Sequence, residues 1–351
     1  MWRKENGYGY RMKSRSLKVR MRNLRFTFFY IVMNVWILSL LCQIKDSEDL
    51  LSMSYPAEGI TNTAFSKWKN TEGSRKAETA AVWKFCGNLT LFAEATGHRQ
   101  TVCCYQMQGQ PEAVFGKALT AGRYFTEEEK DVCLLDVETV RNLFGSEDVL
   151  GLEVKWSGKI LKVAGILNEN APVCVIPAEK ETVFEGIVLR RKDAGESSKQ
   201  AVSLTEAALG RAESPILDGK LYFVTACILY GVMTAEAFIL MGILTRRRAA
   251  GKRRKAWGLC FFCVGIGIAV LFIGIKAADF GSDYLPAYWS DFDFFGRLFE
   301  EKTGQIRQFL AHQEFACWQK MARVWRQAIG LEIVSGGLLA IVFVQAYSAS
   351  P

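Results

Sequence analysis

Histidine is almost missing from this 351-residue chain. Only His98 and His312 occur, which excludes a histidine-rich metal centre. Seven prolines are too few for a proline-rich linker protein. No Gly-x4-Gly-Lys-Ser/Thr phosphate loop occurs, so the chain lacks that route to ATP. Neither a Gly-x-Ser-x-Gly nucleophile elbow nor a His-Glu-x-x-His zinc helix is present. The chain is therefore expected not to be an enzyme, and no catalytic residue, metal ligand or cofactor is assigned to it. What is abundant is apolar: half of the residues are hydrophobic and 23% are charged, outside the range of disordered or collagen-like chains.

The apolar residues are segregated. Phe26 to Ile44 is 19 residues without a charge, and Ala256 to Ile275 is 20 without one. Leu221 to Thr245 is 25 residues with a single charge, Glu236. Ile333 to Tyr347 is uncharged and extends back through Glu332 to about Ile329. Crossing a hydrocarbon core of about 30 Å takes roughly 20 helical residues. The sequence thus predicts four transmembrane helices, over 26–44, 221–245, 256–276 and 329–348.

Charge sets the orientation. Nine Lys or Arg and only Glu5 precede the first run. The 246–255 loop holds Arg246, Arg247, Arg248, Lys252, Arg253, Arg254 and Lys255, with no acid. Segment 45–220 carries 21 basic and 26 acidic residues. Both basic clusters fall on one side in a four-span arrangement, as the positive-inside rule demands. The N-terminus, the 246–255 loop and the C-terminus are then cytoplasmic, and 45–220 and 277–328 lie outside. The net charge of +8 reads as topology and contact with anionic lipid, not as nucleic-acid affinity. Met12 to Leu24 alternates basic and apolar residues, predicting an amphipathic surface helix within the 1–25 segment. No small-x-small site follows Leu40, and Leu41 stands where a small residue would precede a lipidated Cys42, so the first span is expected to be an uncleaved anchor.

The 45–220 segment is long enough for its own core and for two subdomains. Ala77 to Phe85 reads as a helix; Leu89 to Ala95 and Thr101 to Met107 read as strands. Asp131 to Leu135 predicts a buried strand, and Asp136 then caps a helix from Val137 to Phe144 that Gly145 stops. Leu152 to Trp156 and Lys159 to Leu167 predict a hairpin through Ser157-Gly158. Val173 to Ile176 and Val183 to Leu189 read as further strands, and Ser197 to Leu209 as a helix. The mixture predicts an α+β extracytoplasmic domain inserted between the first and second transmembrane helices. Beyond it, Arg297 to Phe309 and Phe315 to Trp325 have helical periodicity, after an aromatic stretch from Tyr284 to Phe295.

Six cysteines fall on the outer side: Cys86, Cys103, Cys104, Cys133, Cys174 and Cys317. Burial as small hydrophobes is the default expectation, with one structural disulfide the alternative. Adjacent Cys103 and Cys104 point to opposite faces of a strand, so one of them at most meets a given partner. Cys260 and Cys263 have Cys-x-x-Cys spacing but lie inside an apolar run with no second pair. Glu236 is the polar site within the membrane. Either it is a contact that moves during transport, or it is a protonated acid bonded to a neighbouring helix.

One run of motifs carries a resemblance. Gly122-Arg-Tyr-Phe125, Val132–Leu135, Val140-Arg-Asn-Leu-Phe-Gly145, Val149-Leu-Gly151, Val154-Lys-Trp-Ser-Gly158 and Leu161-Lys-Val-Ala-Gly-Ile-Leu167 resemble the extracytoplasmic core domain of MacB-type (FtsX-like) ABC-transporter permeases. The likeness covers about 50 residues well, and the order of one span, an outer domain and three spans is similar too. It implies a bacterial, multi-pass cell-membrane subunit without catalysis of its own. A cytoplasmic ABC ATPase and a second permease copy or a sibling permease would be its partners. Such a subunit passes ATP-driven motion to an outer domain that works on peptides, lipoproteins or drugs. Arg246, Arg247, Arg248, Lys252, Arg253 and Arg254 would then contact the ATPase or lipid. The chain departs from the family in its short basic loop, where a longer Arg-x-x-Glu-like helix usually seats on the ATPase. That departure motivates an alternative, a membrane-anchored outer binding or sensing protein without ATPase coupling.

Overall fold

The structure, a computed structural model, describes residues 28–55, 58–169, 171–193, 195–210, 216–248, 293–311 and 315–348, with scattered positions from 257 to 291. The amphipathic segment expected at 12–24 lies outside the described residues. So do nine of the twenty residues of the third apolar run, Cys260 and Cys263 among them. The chain divides into two compact units, one of residues 1–44, 225–278 and 324–351, the other of 45–224 and 279–323.

Three helices among the described residues are long and apolar enough to cross a membrane. They are α1 (Phe28–Lys45) and windows within two longer helices, Gly219–Ile243 and Trp318–Ile341. Helix α1 buries Met33, Ile37, Leu40, Leu41 and Ile44, one face at helical spacing. Its other side exposes Phe28, Phe29, Ile31, Val32, Val35 and Trp36. So much large apolar surface on a polar-poor helix is the signature of a lipid-facing element.

The β-rich unit follows in chain order. Strand β1 (Leu50–Ser54) leads through β2 (Ile60–Thr61), α2 (Asn62–Trp68) and α3 (Glu72–Lys76) to the long strands β3 (Ala77–Phe92) and β4 (Arg99–Gly109). Next come α4 (Glu112–Phe115), β5 (Leu119–Gly122), β6 (Val132–Asp136), α5 (Val137–Phe144), β7 (Glu153–Trp156) and β8 (Lys159–Leu167). Strands β9 (Val173–Pro177), β10 (Val183–Phe184) and β11 (Gly186–Arg191), helix α6 (Ser198–Leu209) and β12 (Ile216–Asp218) complete it, before α7 (Gly219–Arg248). Helices α8 (Phe294–Ala311) and α9 (Ala316–Ser348) follow. Helix α9 begins thirteen residues before the apolar run expected at 329.

The main sheet has ten strands in the order β12-β1-β11-β3-β4-β9-β6-β8-β5, with β7 pairing β3 and β8. Two core clusters flank it. One gathers Leu51, Phe65, Trp68, Val82, Phe184 and Ile187 under α2 and α6. The other gathers Leu91, Val102, Leu135, Val140, Leu143, Val163 and Ile166 around α5. Strand β3 contributes Val82 to the first and Leu91 to the second, and a bulge between Phe85 and Asn88 separates them.

Local expectations hold where the signal is a cap or a turn. Asp136 accepts from Thr139 N at 2.9 Å to start α5, and Gly145 ends it at φ 70°. Ser157 and Gly158 both take positive φ (46° and 82°), as a two-residue hairpin requires. Gly165 serves close packing: a Cβ there would lie 2.6 Å from Arg123 O. Opposite it, a Cβ on Gly122 would lie 2.4 Å from Ala164 O. The helix expected over Ala77 to Phe85 is instead the first half of β3. Its alanine- and glutamate-rich sequence favours a helix locally, but pairing with β11 on one side and β4 on the other decides it.

Candidate functional site

The site lies in the β-rich unit, where β1 follows α1 and β12 precedes α7 along the chain. Strand β1 follows α1 after a four-residue turn and pairs antiparallel with β12, Leu51 opposite Asp218. Strand β12 runs straight into α7. The incoming and outgoing chains are thus neighbouring strands, and β11 lies on the other side of β1.

Two consecutive arginines at the end of β11 fasten them. The β11–β3 register shifts at this pair, and the two guanidiniums reach different elements, Arg190 toward α4 and Arg191 toward α6. Arg191 is 2% exposed. Its Nη2 donates to Glu48 O at 2.8 Å and to Asp218 Oδ1 at 3.4 Å. Its Nη1 donates to Ser198 Oγ at 2.8 Å and Glu196 O at 3.0 Å. Its backbone N–H donates to Asp49 O at 2.9 Å. One guanidinium therefore ties the segment after α1, the start of α6 and the last residue before α7. Asp218, itself buried, also accepts from Lys220 N at 3.1 Å at the first turn of α7. Arg190 donates to Asp49 Oδ1 at 2.7 Å, Asp46 O at 3.3 Å and Ala113 O at 3.2 Å.

Gly219 completes the junction. A Cβ there would lie 1.7 Å from Ser47 O, so only glycine lets the start of α7 lie against the turn after α1. The sequence suggests a hinge at Pro215 and Gly219. Pro215 lies outside the described residues, and Gly219 is a point of close backbone approach in a packed corner.

The segment before α9 is fastened to the same unit. Asp283 Oδ2 accepts from Lys199 N at 3.2 Å, and Asp283 Oδ1 accepts from Ser197 Oγ, both at the start of α6. Lys199 pairs with Glu301 of α8 at 2.8 Å. Burial pulls the Glu301 carboxyl up, but the Lys199 hydrogen bond and the charges of Lys302 and Lys199 outweigh it and hold it below the ordinary value. Burial, with the Asp218 charge second, pushes the Tyr284 phenol well above its usual value. Immediately before α9, Phe315 sits 4.9 Å from the Trp83 ring centre, 4.5 Å from Tyr105 and 4.7 Å from Trp318. Asp283, Glu301 and Phe315 thus hold this segment to the β-rich unit, while Tyr288, Phe295 and Phe299 stay exposed.

The residues singled out from sequence lie elsewhere. Arg246, Arg247 and Arg248 form the last turn of α7. Lys252, Arg253 and Arg254 lie outside the described residues. Glu236 is on α7, in the membrane-helix unit, and its Oε2 would be 3.8 Å from a Cβ placed on Gly336 of α9. One turn before Gly336, Glu332 is 1% exposed and neither of its carboxylate oxygens has a hydrogen-bond partner. Among the described residues, Arg246, Arg247 and Arg248 lie at the far end of α7 from its start, ten or more positions along from Glu236. The clamp residues Arg191, Asp218 and Gly219 were missed as a group. The available signal was the Asp218-Gly219-Lys220 triplet placed directly before an apolar run.

No family model matches the chain, and no curated protein does. Among solved structures, the chain is similar to the periplasmic region of MacB from Actinobacillus actinomycetemcomitans, with a TM-score of 0.42 and 15% identity over 49% of this chain and 89% of that one. It is also similar to the extracellular domain of the noncanonic ABC-type transporter YknZ from Gram-positive bacteria, with a TM-score of 0.37 and 16% identity over 47% of this chain and 96% of that one. Both are extracytoplasmic regions of ABC-type transporters.

Proposed function

We propose that this chain is the membrane subunit of a MacB-type ABC transporter. It receives motion from a separate cytoplasmic ATPase and passes it to the outer domain. ATP hydrolysis is assigned to that partner. The observation that carries the reading is the Arg191 clamp. A device that transmits displacement needs a stiff junction, and here a buried guanidinium with four acceptors joins the chain before β1 to the chain before α7. Helix α7 then continues from that junction to Arg248 without a break. Phe315 gives α9 an anchor of the same kind. Two copies, or this chain and a sibling, would form the membrane assembly. Work on peptides, lipoproteins or drugs at the outer face belongs to this reading through the resemblance.

The short, acid-free 246–255 loop favours a second reading, an anchored outer binding or sensing protein that has no ATPase. Purification of the tagged protein in mild detergent separates the two. A stoichiometric ATPase in the eluate supports the transporter. Its repeated absence from folded, membrane-inserted protein supports the anchor. Charge reversal across Arg246, Arg247, Arg248, Lys252, Arg253 and Arg254 is expected to abolish stimulation of a co-purified ATPase. Unchanged stimulation with intact insertion would remove that loop from the coupling route.

A further inference from the structure

Four thiols form a row across four adjacent strands of the outer sheet. Cys86 is on β3, Cys104 on β4, Cys174 on β9 and Cys133 on β6. At the β3 bulge the register runs from Phe85 opposite Tyr105 to Asn88 opposite Cys103, so Cys86 and Gly87 together face Cys104. Cys104 is the direct partner of Cys174 on the parallel strand β9. Cys174 faces Leu135 of β6, two residues along from Cys133 on the same side. Cys104, Cys133 and Cys174 belong to one core cluster and Cys86 packs against it. Each thiol shifts the proton affinity of its neighbour in the row.

Access breaks the symmetry of the row. Cys104, Cys133 and Cys174 are at most 1% exposed, while Cys86 is half-buried at the edge. An oxidant reaches Cys86 alone, and the neighbour of Cys86 in the row is Cys104. Cys103 points to the other face, its Sγ 3.3 Å from Asn88 Oδ1.

We propose that Cys86 and Cys104 are an oxidisable pair that closes to a disulfide across the β3 bulge, with Cys133 and Cys174 remaining thiols. The oxidant is a small or protein disulfide. The Cys86 thiolate attacks one of its sulfurs and releases a thiolate, leaving a mixed disulfide. Cys104 then attacks the Cys86 sulfur and releases the second thiolate. Two protein thiols lose two protons and two electrons, and one disulfide is reduced to two thiols. The new bond ties β3 to β4 where β3 passes from one core to the other. Its formation in the cell rests on the outer placement of this domain; the chemistry tested below does not.

The neighbouring thiol and burial hold Cys86 well above the ordinary thiol value. The thiolate fraction, and with it the closure rate, therefore rises about tenfold per pH unit through neutral pH.

The test uses the full-length protein in mild detergent. It is reduced, exposed to glutathione disulfide at two pH values, quenched with acid, alkylated and peptide-mapped. Alkylatable cysteines should fall by two through one Cys86–Cys104 crosslink, once glutathione adducts on exposed Cys42 are discounted. Cys104→Ser should stop the reaction at a Cys86–glutathione adduct. Hydrogen exchange over 85–92 should slow in the oxidised wild type. The proposal is overturned if Cys86 and Cys104 both stay alkylatable while Cys42 carries glutathione. It is equally overturned if the crosslink joins Cys104 to Cys174. The wild-type measurement stands even where Cys104→Ser fails to fold.

Discussion

Replacing Arg191 by methionine keeps most of the side-chain volume and removes the guanidinium from a site that is 2% exposed. Four acceptors then lose their donor: Glu48 O, Glu196 O, Ser198 Oγ and Asp218 Oδ1. Asp218 keeps the Lys220 N–H but remains a buried charge without a countercharge at its former distance. Breaking a buried pair by removing one partner costs about 3–5 kcal/mol. For a unit of roughly 200 residues this lowers the Tm by about 6–20 °C. A second substitution is expected to rescue much of this loss. Arg191 Nε has no partner, so the native pair is not fully satisfied. Neutralising both members in R191M/D218N keeps the Oδ1 acceptor for Lys220 N and removes the stranded charge. The double variant should regain more than half of the loss. Thermal unfolding in detergent, followed through tryptophan fluorescence, measures each variant. A drop of less than about 2 °C in R191M would refute the clamp, and a double variant no better than the single one would refute the charge argument.

Gly219→Ala places a Cβ 1.7 Å from Ser47 O, which the backbone must move to relieve. Overpacking of this kind costs about 1–3 kcal/mol or more, and hydrogen exchange should rise in residues 46–54; unchanged exchange would refute close packing there. Phe315→Ala empties the centre of the aromatic cluster at a cost of about 3–5 kcal/mol, and exchange should rise across 294–318 before β6 and α5 are affected. Equal loosening of α5 would show that Phe315 is not a local anchor. Glu129 is held down to about 2 by its hydrogen bond with Arg123 and by the Thr126 N–H. Its folded value lies below an unfolded value of about 4.3, so its contribution is present above that pH and is lost as pH falls from about 4.3 through 2. Arg123→Gln should move the Glu129 carboxyl resonance midpoint upward in a pH titration by carbon NMR, and an unmoved midpoint would remove Arg123 as the cause.

Much of this protein was legible along the chain because the deciding physics is local. Long apolar runs with few charges set the three described membrane-length helices, since a bilayer asks only for length and scarcity of charge. Asp136 and Gly145 set the ends of α5, because capping involves groups within one helical turn. Ser157-Gly158 set its hairpin through backbone preference alone.

Tertiary pairing decided the rest. Ala77 to Phe85 has helical composition but lies between two strands, and hydrogen bonds from β11 and β4 outweigh its local preference. The thiol row unites positions spread from 86 to 174, and only the sheet order makes them neighbours. The clamp is the clearest case. Arg191 is one of 44 basic residues, and nothing beside it in sequence marks it as buried. Glu48 lies 143 positions before it and Asp218 lies 27 after it. Strand order brings them together, and exclusion of water there turns an ordinary arginine into the tie between the chain after α1 and the chain entering α7.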